Sequence, residues 1–255
     1  MKRILSLFAI VSATTLFALT TLSCTPKEPT QVLLLTERGG HHGPFTARGV
    51  EWVEEFAAQN NMVVTEIHNP EPITKEYLAG FDIVLQLDYV PYTWSDEAQA
   101  AFEEYIDEGK GNWIGFHHAS LLGEFDGWPM WEWFSDFLGG IRYQNYIAEL
   151  ASADVVVENT THPVMKGLDG RFNLPDDEWY IFDRSPRENA LVLATVDEST
   201  YQPDSPIKMG DHPVVWVNEA KKAKNVYFLF GHSPKLFDEP NFVKMLSNAL
   251  LWCAE

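Results

Sequence analysis

Residues 31–59 read QVLLLTERGGHHGPFTARGVEWVEEFAAQ, and this stretch decides the fold class. It opens with an apolar run over residues 31–36, continues through a glycine-rich turn that contains His41 and His42, and ends in a helical pattern over residues 46–59. A buried strand, a loop at its carboxyl end and a helix form the start of a βαβ unit. The stretch therefore predicts an α/β domain.

The same alternation of strands and helices continues along the chain. The later predicted elements are strands at 62–68, 81–87 and 111–116, helices at 95–108 and 128–138, strands at 155–157, 191–195, 214–217 and 226–230, and a closing helix at 241–253. Consecutive parallel strands need helical crossovers, so this order predicts a mostly parallel sheet with helices on both faces and some antiparallel later strands. No linker or repeat divides residues 31–255, which predicts a single domain.

The first residues of the chain have the charge order of an export signal. Two basic residues precede an apolar run over residues 4–22, and the run stops at Cys24. This pattern predicts a signal peptide at residues 1–23 and a lipid-anchored linker at residues 24–30. The small residues before Cys24 resemble the lipobox of bacterial lipoproteins, which implies lipidation of Cys24 and a periplasmic or outer-membrane location. A transmembrane helix is the alternative, because the run is just long enough to span a membrane.

Composition narrows the classes of partner. The chain has 37 acidic and 18 basic side chains and a net charge of −19, which repels nucleic acid phosphates, so nucleic-acid binding is not expected. Membrane contact is expected only through the N-terminal lipid. Nine Trp and nine Tyr residues suit a small sugar or glycoside ligand, because flat rings cover the C–H faces of sugars. Packing in the core is the alternative role for these rings.

Polar side chains follow several predicted strands at the edge where such sheets bind ligands. These side chains are Glu37, His41, His42, Asp88, Tyr89, His117, His118 and His232. Five of the eight histidines belong to this set, which indicates a site rich in imidazole. The other three histidines, His68, His162 and His212, are expected to have structural roles.

The segment Gly115–Ser120 has the layout of a nucleophile elbow, a tight strand-to-helix turn between small residues, with His117 at the elbow position. An imidazole there can shuttle protons near neutral pH or bind a metal ion, but it does not form the stable acyl intermediate of Ser or Cys. Ser120 lies past the elbow and is not expected to be a nucleophile. Neither an HxH nor an HExxH spacing occurs, so no metal site is predicted; Zn²⁺ on histidines and a carboxylate stays open by residue type.

An acidic and aromatic segment, Asp176–Tyr180, follows Pro175. Glu178 is a candidate general acid or base, because burial against Trp179 would raise its pKa towards neutrality. A solvated acidic turn is the alternative interpretation of the segment.

The order of these motifs resembles the ThuA-like family, which is associated with trehalose utilisation and has the fold of class I glutamine amidotransferases, with a flavodoxin-like core. The matching segments are Gly40–His42, Gly115–Ser120, Leu138–Gly140, Asn159–Val164 with Gly167-Leu168, Asp177–Tyr180, Pro213–Trp216, Phe230–Ser233 and the helix at 242–252. The likeness covers about residues 31–254. His117 falls where relatives with glutaminase activity carry a catalytic cysteine, so glutamine hydrolysis is not expected.

The resemblance implies a carbohydrate-processing enzyme that acts on glycosides or keto-glycosides. Proton transfer between histidine and glutamate side chains would isomerise the keto-sugar or eliminate its glycosidic oxygen. The expected catalytic residues are Glu178 or His117 as the base, with His232 and His41 as proton donors. The expected substrate contacts are His42, His118, Trp179, Tyr180, Asp88 and Tyr89. No cofactor is expected, and two alternatives are a non-catalytic sugar-binding lipoprotein and a sugar hydrolase that uses a divalent metal such as Zn²⁺.

Overall fold

The structure is a computed structural model that describes residues 27–147 and 149–255. The predicted signal peptide at residues 1–23 and the predicted lipidation site Cys24 lie outside the described residues. Across the residues that are described, no helix has the length and apolar character needed to cross a membrane.

Strands and helices alternate through the first half of the chain, and strands dominate the second half. The strands are β1 (Thr30–Thr36), β2 (Met62–Ile67), β3 (Ile83–Leu87), β4 (Asn112–Phe116), β5 (Tyr143–Tyr146), β6 (Ala151–Val157), β7 (Arg171–Asp177), β8 (Tyr180–Phe182), β9 (Leu191–Gln202), β10 (Pro213–Val217) and β11 (Asn225–Phe228). The α-helices are α1 (Gly43–Gln59), α2 (Lys75–Leu78), α3 (Asp96–Asp107), α4 (Glu132–Phe137) and α5 (Pro240–Cys253). The sequence therefore changes from α/β alternation to consecutive strands near β5.

Local sequence signals explain where the helices begin. The Ser95 hydroxyl accepts a hydrogen bond from the Ala98 amide and caps α3, at the start of the helix predicted over residues 95–108. Thr74 caps α2 in the same way, and proline lies in the first turn of α1 and of α5. Proline is favoured there because the first helical amides have no partner within the helix.

The main sheet is mixed, which corrects the prediction of a mostly parallel one. Its nine strands lie in the order β2-β1-β3-β4-β11-β10-β9-β6-β7. The five strands from β2 to β11 pair in parallel, and the remaining pairs, from β11 to β7, are antiparallel. A second sheet contains only β5 and β8, which pair in an antiparallel manner.

Short connections explain the antiparallel half of the sheet. A parallel neighbour needs a crossover of about a dozen residues or more, usually a helix. Residues 218–224 join β10 to β11, and residues 203–212 join β9 to β10, without an α-helix in either connection. These lengths allow direct reversal of the chain, so the strands pair as neighbours of opposite direction.

Helices cover both faces of the sheet, as predicted. On one face, Phe116 of β4 packs against Phe45 of α1 and Phe242 of α5, with ring centroids 6.2 Å apart in each pair. On the other face, Trp113 of β4 packs against Phe134 and Phe137 of α4 at 5.8 and 5.1 Å. Because side chains alternate along a strand, β4 contributes one aromatic ring to each layer of the core.

Two segments differ from their predicted structure. The aromatic helix predicted over residues 128–138 is confined to α4, because Pro129 disfavours helical backbone at Trp128, which instead forms a β-bridge with Phe125. The acidic segment after Pro175 belongs to the end of β7 and the start of β8, so it is not a solvated turn.

Replacing Gly115 by alanine is expected to lower the free energy of unfolding by about 1–3 kcal/mol. A β-carbon at Gly115 would overlap the indole of Trp113. That ring is fully buried and its Nε1 donates to Gln86 Oε1 at 3.1 Å, so it has little freedom to move. Urea denaturation would measure the change. The control is Gly170→Ala, where an added β-carbon meets no atom within 4 Å; an equal loss in both variants would contradict this packing argument.

Candidate active site

A cavity of about 500 Å³ opens beyond the carboxyl ends of the parallel strands, where an α/β sheet is expected to bind its ligand. The residues that line it are Glu37, Gly40, His41, His42, His118, Leu121, Tyr143, Tyr146, Leu150, Glu178, Tyr180 and His232. The loops after β1, β4, β7 and β11 therefore contribute to one pocket, although they are far apart in sequence.

The elbow predicted at His117 is present. β4 ends at Phe116, and the chain enters a short 3₁₀ helix over His117–Ser120. His117 has φ of +40°, a left-handed backbone conformation that is costly for a residue with a β-carbon. The Ser120 hydroxyl donates to the His117 carbonyl and accepts from the Tyr227 hydroxyl at 2.6 Å, so Ser120 braces the turn.

His117 is fully buried and held at both ring nitrogens. Its Nδ1 lies 2.8 Å from the carbonyl oxygen of Leu229, which fixes the proton on Nδ1. Its Nε2 faces Glu178 Oε2 at 3.2 Å, and the Tyr180 ring stacks on the imidazole with centroids 4.1 Å apart. Burial lowers the pKa of His117 to about 4, so the imidazole is neutral at pH 7.

Two further imidazoles join His117 and Glu178. The ring of His42 lies 5.0 Å from that of His117 and 4.5 Å from that of His232. Burial lowers the pKa of His42 to about 2. Each of the four side chains offers one nitrogen or oxygen atom, and these atoms lie within 4.8 Å of one another, a spacing that one metal ion can span.

The charge on Glu178 is stabilised by its neighbours. Burial alone would raise the pKa of its carboxyl, but a proton or positive charge shared with His117 and His232 outweighs burial and lowers the pKa. For His232, burial alone would lower the pKa, and the negative charge of Glu178, whose Oε2 lies 3.7 Å from His232 Nδ1, raises it. An ionised Glu178 is therefore a weak base, which disfavours the predicted use of this carboxylate to remove a proton.

Asp177 fixes the two loops that carry Glu178 and His232. Its fully buried carboxylate accepts from the Glu178 amide at 2.8 Å and from the amides of Gly231 and Ser233 at 3.3 Å. The His232 amide also points at this carboxylate, at 3.3 Å. Burial raises the pKa of Asp177 to about 7. Asp177 does not line the cavity, but it holds in place the backbone of residues that do.

His118 and Glu37 form a second pair at the cavity wall. His118 Nδ1 lies 2.7 Å from Glu37 Oε2, so the carboxylate orients the ring and leaves Nε2 as the other polar atom of the imidazole. The His118 side chain is 13% exposed, and both residues line the cavity. A histidine oriented by a carboxylate is a common arrangement for a general base.

Three predicted substrate contacts lie outside the cavity wall. Trp179 is fully buried, and its indole donates to the Ala151 carbonyl, so it offers no face to a sugar. Asp88 is fully buried beneath Gly231, and burial raises the pKa of its carboxyl well above the usual range. Tyr89 is half-buried and does not line the cavity. These side chains turn inward because their backbone positions face the core.

The other predicted residues reach the cavity, in different ways. His41 is exposed on its rim, whereas His42 is buried beside His117, as expected for adjacent histidines that point in different directions. Tyr180 lines the cavity and stacks on His117, so the aromatic contact assigned to Trp179 or Tyr180 falls to Tyr180.

Several cavity residues were missing from the predicted set. These residues are Tyr143, Tyr146, Leu121 and Leu150, and the approach of Tyr143 and Tyr146 depends on the pairing of β5 with β8. Glu37 was noted only as a polar residue at a strand end, and its contact with His118 joins two distant strands. A signal for Glu37 was present, because β1 and β4 were both expected to end at this edge.

The remaining histidines have structural contacts. His212 is buried, with Nδ1 2.9 Å from Glu198 Oε1 and Nε2 2.9 Å from the Tyr180 carbonyl, so it supports the strand that carries Tyr180. His162 accepts from the Val164 amide and caps a 3₁₀ helix. His68 is exposed beside Thr36.

Comparisons with known proteins agree with the fold and the motifs. A ThuA-like protein from Bacteroides uniformis has 25% identity and a TM-score of 0.80, with 91% of this chain and 95% of that chain covered. A ThuA-like protein from Parabacteroides merdae has 18% identity and a TM-score of 0.65, with 89% and 90% covered. The glutaminase domain of Trypanosoma brucei CTPS has 10% identity and a TM-score of 0.51, with 87% and 94% covered, and shares the fold.

The comparison with curated proteins gave no match. The model of the ThuA family, described as trehalose utilisation, matches residues 31–253, which is nearly all of the chain after the predicted signal and linker. The chain therefore belongs to the ThuA family and has a carbohydrate-related role.

Proposed function

We propose that this protein is an enzyme that acts on keto-glycosides and removes a proton from the carbon next to the carbonyl group. The proposal is based on one observation: two separate sets of polar side chains lie at the same cavity. One group is the His118–Glu37 pair, and the other is the cluster of His42, His117, His232 and Glu178. Proton abstraction beside a carbonyl needs a base and a group that stabilises the resulting oxyanion, and these two groups suit the two tasks.

In this proposal, His118 is the general base. Its Nδ1 is engaged by Glu37, so Nε2 is available to accept a proton, and Glu37 stabilises the imidazolium that results. The alternatives are less suitable. His117 is fully buried and does not line the cavity, and the contacts of Glu178 lower the pKa of its carboxyl, which makes it a weak base.

The cluster of His42, His117, His232 and Glu178 is the part of the site assigned to the sugar oxygens. His232 is the proposed hydrogen-bond donor within the cluster, through Nε2, and exposed His41 on the rim is a second donor to a more distant hydroxyl. Tyr180 and Tyr143, whose rings lie 5.1 Å apart, provide an aromatic wall for the sugar ring.

The proposed reaction begins when His118 removes the proton from C2 of a 3-keto-glycoside. The electron pair of the C2–H bond moves to the carbonyl, and the oxygen at C3 becomes an enediolate oxygen. Transfer of the proton from the hydroxyl on C2 to the oxygen on C3, with return of a proton to carbon C3, gives the 2-keto isomer. Alternatively, the electron pair expels the glycosidic oxygen from C1, and the departing alcohol takes up a proton. Neither outcome requires an oxidant or a reductant.

Glutamine hydrolysis is not part of the proposal. The elbow carries an imidazole, and the one cysteine among the described residues, Cys253, is buried in α5 with its thiol pKa raised to about 12 by burial. A thiol in that state is a poor nucleophile. The fold shared with glutaminase domains therefore carries different chemistry in this chain.

Product analysis tests the proposed function. The full chain is incubated with a set of 3-keto-glucosides, including 3-ketotrehalose, and with the matching unoxidised glucosides, and carbon NMR follows the products. We expect a 2-keto isomer or an eliminated alcohol from the keto-glucosides alone. Cleavage of oxidised and unoxidised glucosides alike would favour a hydrolase instead. Saturable binding without any product would favour a sugar-binding protein.

A further inference from the structure

Several polar atoms lack a suitable hydrogen-bond partner or opposite charge in the four-residue cluster of His42, His117, His232 and Glu178. His117 Nδ1 needs its proton for the Leu229 carbonyl, so a neutral His117 presents a lone pair at Nε2. That lone pair faces Glu178 Oε2 at 3.2 Å. Two electron-rich atoms at this distance repel each other unless a positive centre lies between or beside them.

The two neighbouring imidazoles also have ring nitrogens that lack a hydrogen-bond partner. His42 Nε2 and His232 Nδ1 are buried and have no hydrogen-bond partner among the described residues. His42 is only 6% exposed, and the rings of His117, His118 and His232 surround it. A buried polar nitrogen without a partner is destabilising, and this cluster contains two of them side by side.

A proton does not resolve the imbalance. A proton between His117 Nε2 and Glu178 Oε2 would satisfy their contact, but it would leave His42 Nε2 without a partner. It would also place a charged ring in a fully buried position, which burial opposes. One cation shared by all four side chains would satisfy every one of these atoms at the same time.

We infer that a divalent metal ion such as Zn²⁺ binds to His42, His117, His232 and Glu178. This ion is the electrophile of the proposed reaction. Three imidazole nitrogens and one carboxylate oxygen are ligands that such ions prefer. Bonds of about 2.1 Å place ligand atoms about 3.4 Å apart in a tetrahedral site. Glu178 Oε2 lies 3.2 Å from His117 Nε2 and 3.7 Å from His232 Nδ1, close to that spacing.

The residues behind the cluster support this assignment. Histidine ligands usually donate their second ring nitrogen to a carbonyl or carboxylate, which orients the ring, and Leu229 does this for His117. Asp177 fixes the backbone on which Glu178 and His232 stand, through the amides of both residues.

A second group of potential ligands, Glu37, His42 and His118, is less suitable. The 2.7 Å contact between Glu37 and His118 is a normal hydrogen bond with a proton on Nδ1, so it needs no cation.

The inference rests on the proposed function and deepens it. The ion would supply the positive charge for the enediolate oxygens, and His118 would stay free to act as the base.

Cobalt loading tests the inference. The full chain, purified without a histidine tag and stripped with a chelator, is titrated with Co²⁺ and then with competing Zn²⁺. We expect one ion per chain and the intense visible absorption of four- or five-coordinate Co²⁺. His42→Ala and His232→Ala, tested separately, should each weaken binding by more than about 100-fold. Two controls, His68→Ala on the surface and Glu37→Gln beside the cluster, should leave the spectrum unchanged.

Other outcomes would overturn the inference. Co²⁺ that keeps the weak spectrum of the hydrated ion would show that no such site exists, and a spectrum lost in Glu37→Gln but retained in His232→Ala would give the site to the other group. Full activity of the stripped enzyme on 3-keto-glucosides would remove the ion from the reaction and leave the proposed function intact. Tight binding of one ion without reaction on keto-glucosides would instead support the metal site and contradict the proposed function.

Discussion

His118→Ala is expected to slow turnover of 3-keto-glucosides by about 10²–10⁴-fold, the usual contribution of a general base. The imidazole of His118 is the cavity base that is both accessible and oriented by a carboxylate, through its 2.7 Å contact with Glu37. Alanine removes the proton acceptor and leaves the metal-binding cluster in place. Steady-state rates with 3-ketotrehalose would measure the effect, and substrate binding should change much less than turnover.

A matched pair of variants checks this assignment. Glu37→Gln keeps the shape of the partner but removes its charge, so we expect a smaller loss of turnover than in His118→Ala. His68→Ala removes an exposed histidine, with a side chain that is 57% exposed, and should retain full activity. Turnover in His118→Ala within a factor of about three of the wild type would mean that another group removes the proton.

Asp177→Ala is expected to lower the free energy of unfolding by about 3 kcal/mol and to disorganise the site at the same time. The Asp177 carboxylate is fully buried and accepts from the amides of Glu178, Gly231 and Ser233. Alanine leaves these buried donors without an acceptor, and the loops that carry Glu178 and His232 lose their common anchor. Urea denaturation would measure the stability, and Co²⁺ titration would report the state of the cluster.

The adjacent residue provides the control for Asp177. Asp176 differs by one position, is half-exposed and pairs with Lys235 on the surface. A surface ion pair contributes about 0–1 kcal/mol, so Asp176→Ala should change stability by less than that and leave Co²⁺ binding intact. Equal effects of the two alanine variants would contradict the anchoring role of Asp177.

The fold was predictable where local patterns decide it. The β1 strand, its glycine-rich turn and α1 follow from hydrophobic periodicity, and Ser95 marks the start of α3 as a helix cap. The antiparallel half was less predictable, because pairing between β9, β10 and β6 depends on contacts far apart in sequence. β8 has only three residues, which is too short a segment to show the hydrophobic alternation of a strand.

The site was predictable to the extent that strand ends converge in a parallel sheet. His42, His117 and His232 follow β1, β4 and β11, and these strands share one edge, so their meeting followed from topology. The direction of each side chain was not predictable. Trp179 faces the core although Tyr180 beside it faces the cavity, and Asp177 is buried although Asp176 is half-exposed. Such choices depend on the register of β7 and β8 against their partners.

Exchange of the C2 ring proton with solvent is the most direct test of the central claim. Proton NMR would follow a 3-keto-glucoside in D₂O with the wild-type chain, with His118→Ala as the control. We predict that the C2 signal disappears at a rate proportional to enzyme concentration and persists in the variant. A C2 signal that keeps full intensity while the folded wild-type protein is saturated with the same ligand would contradict proton transfer in this pocket.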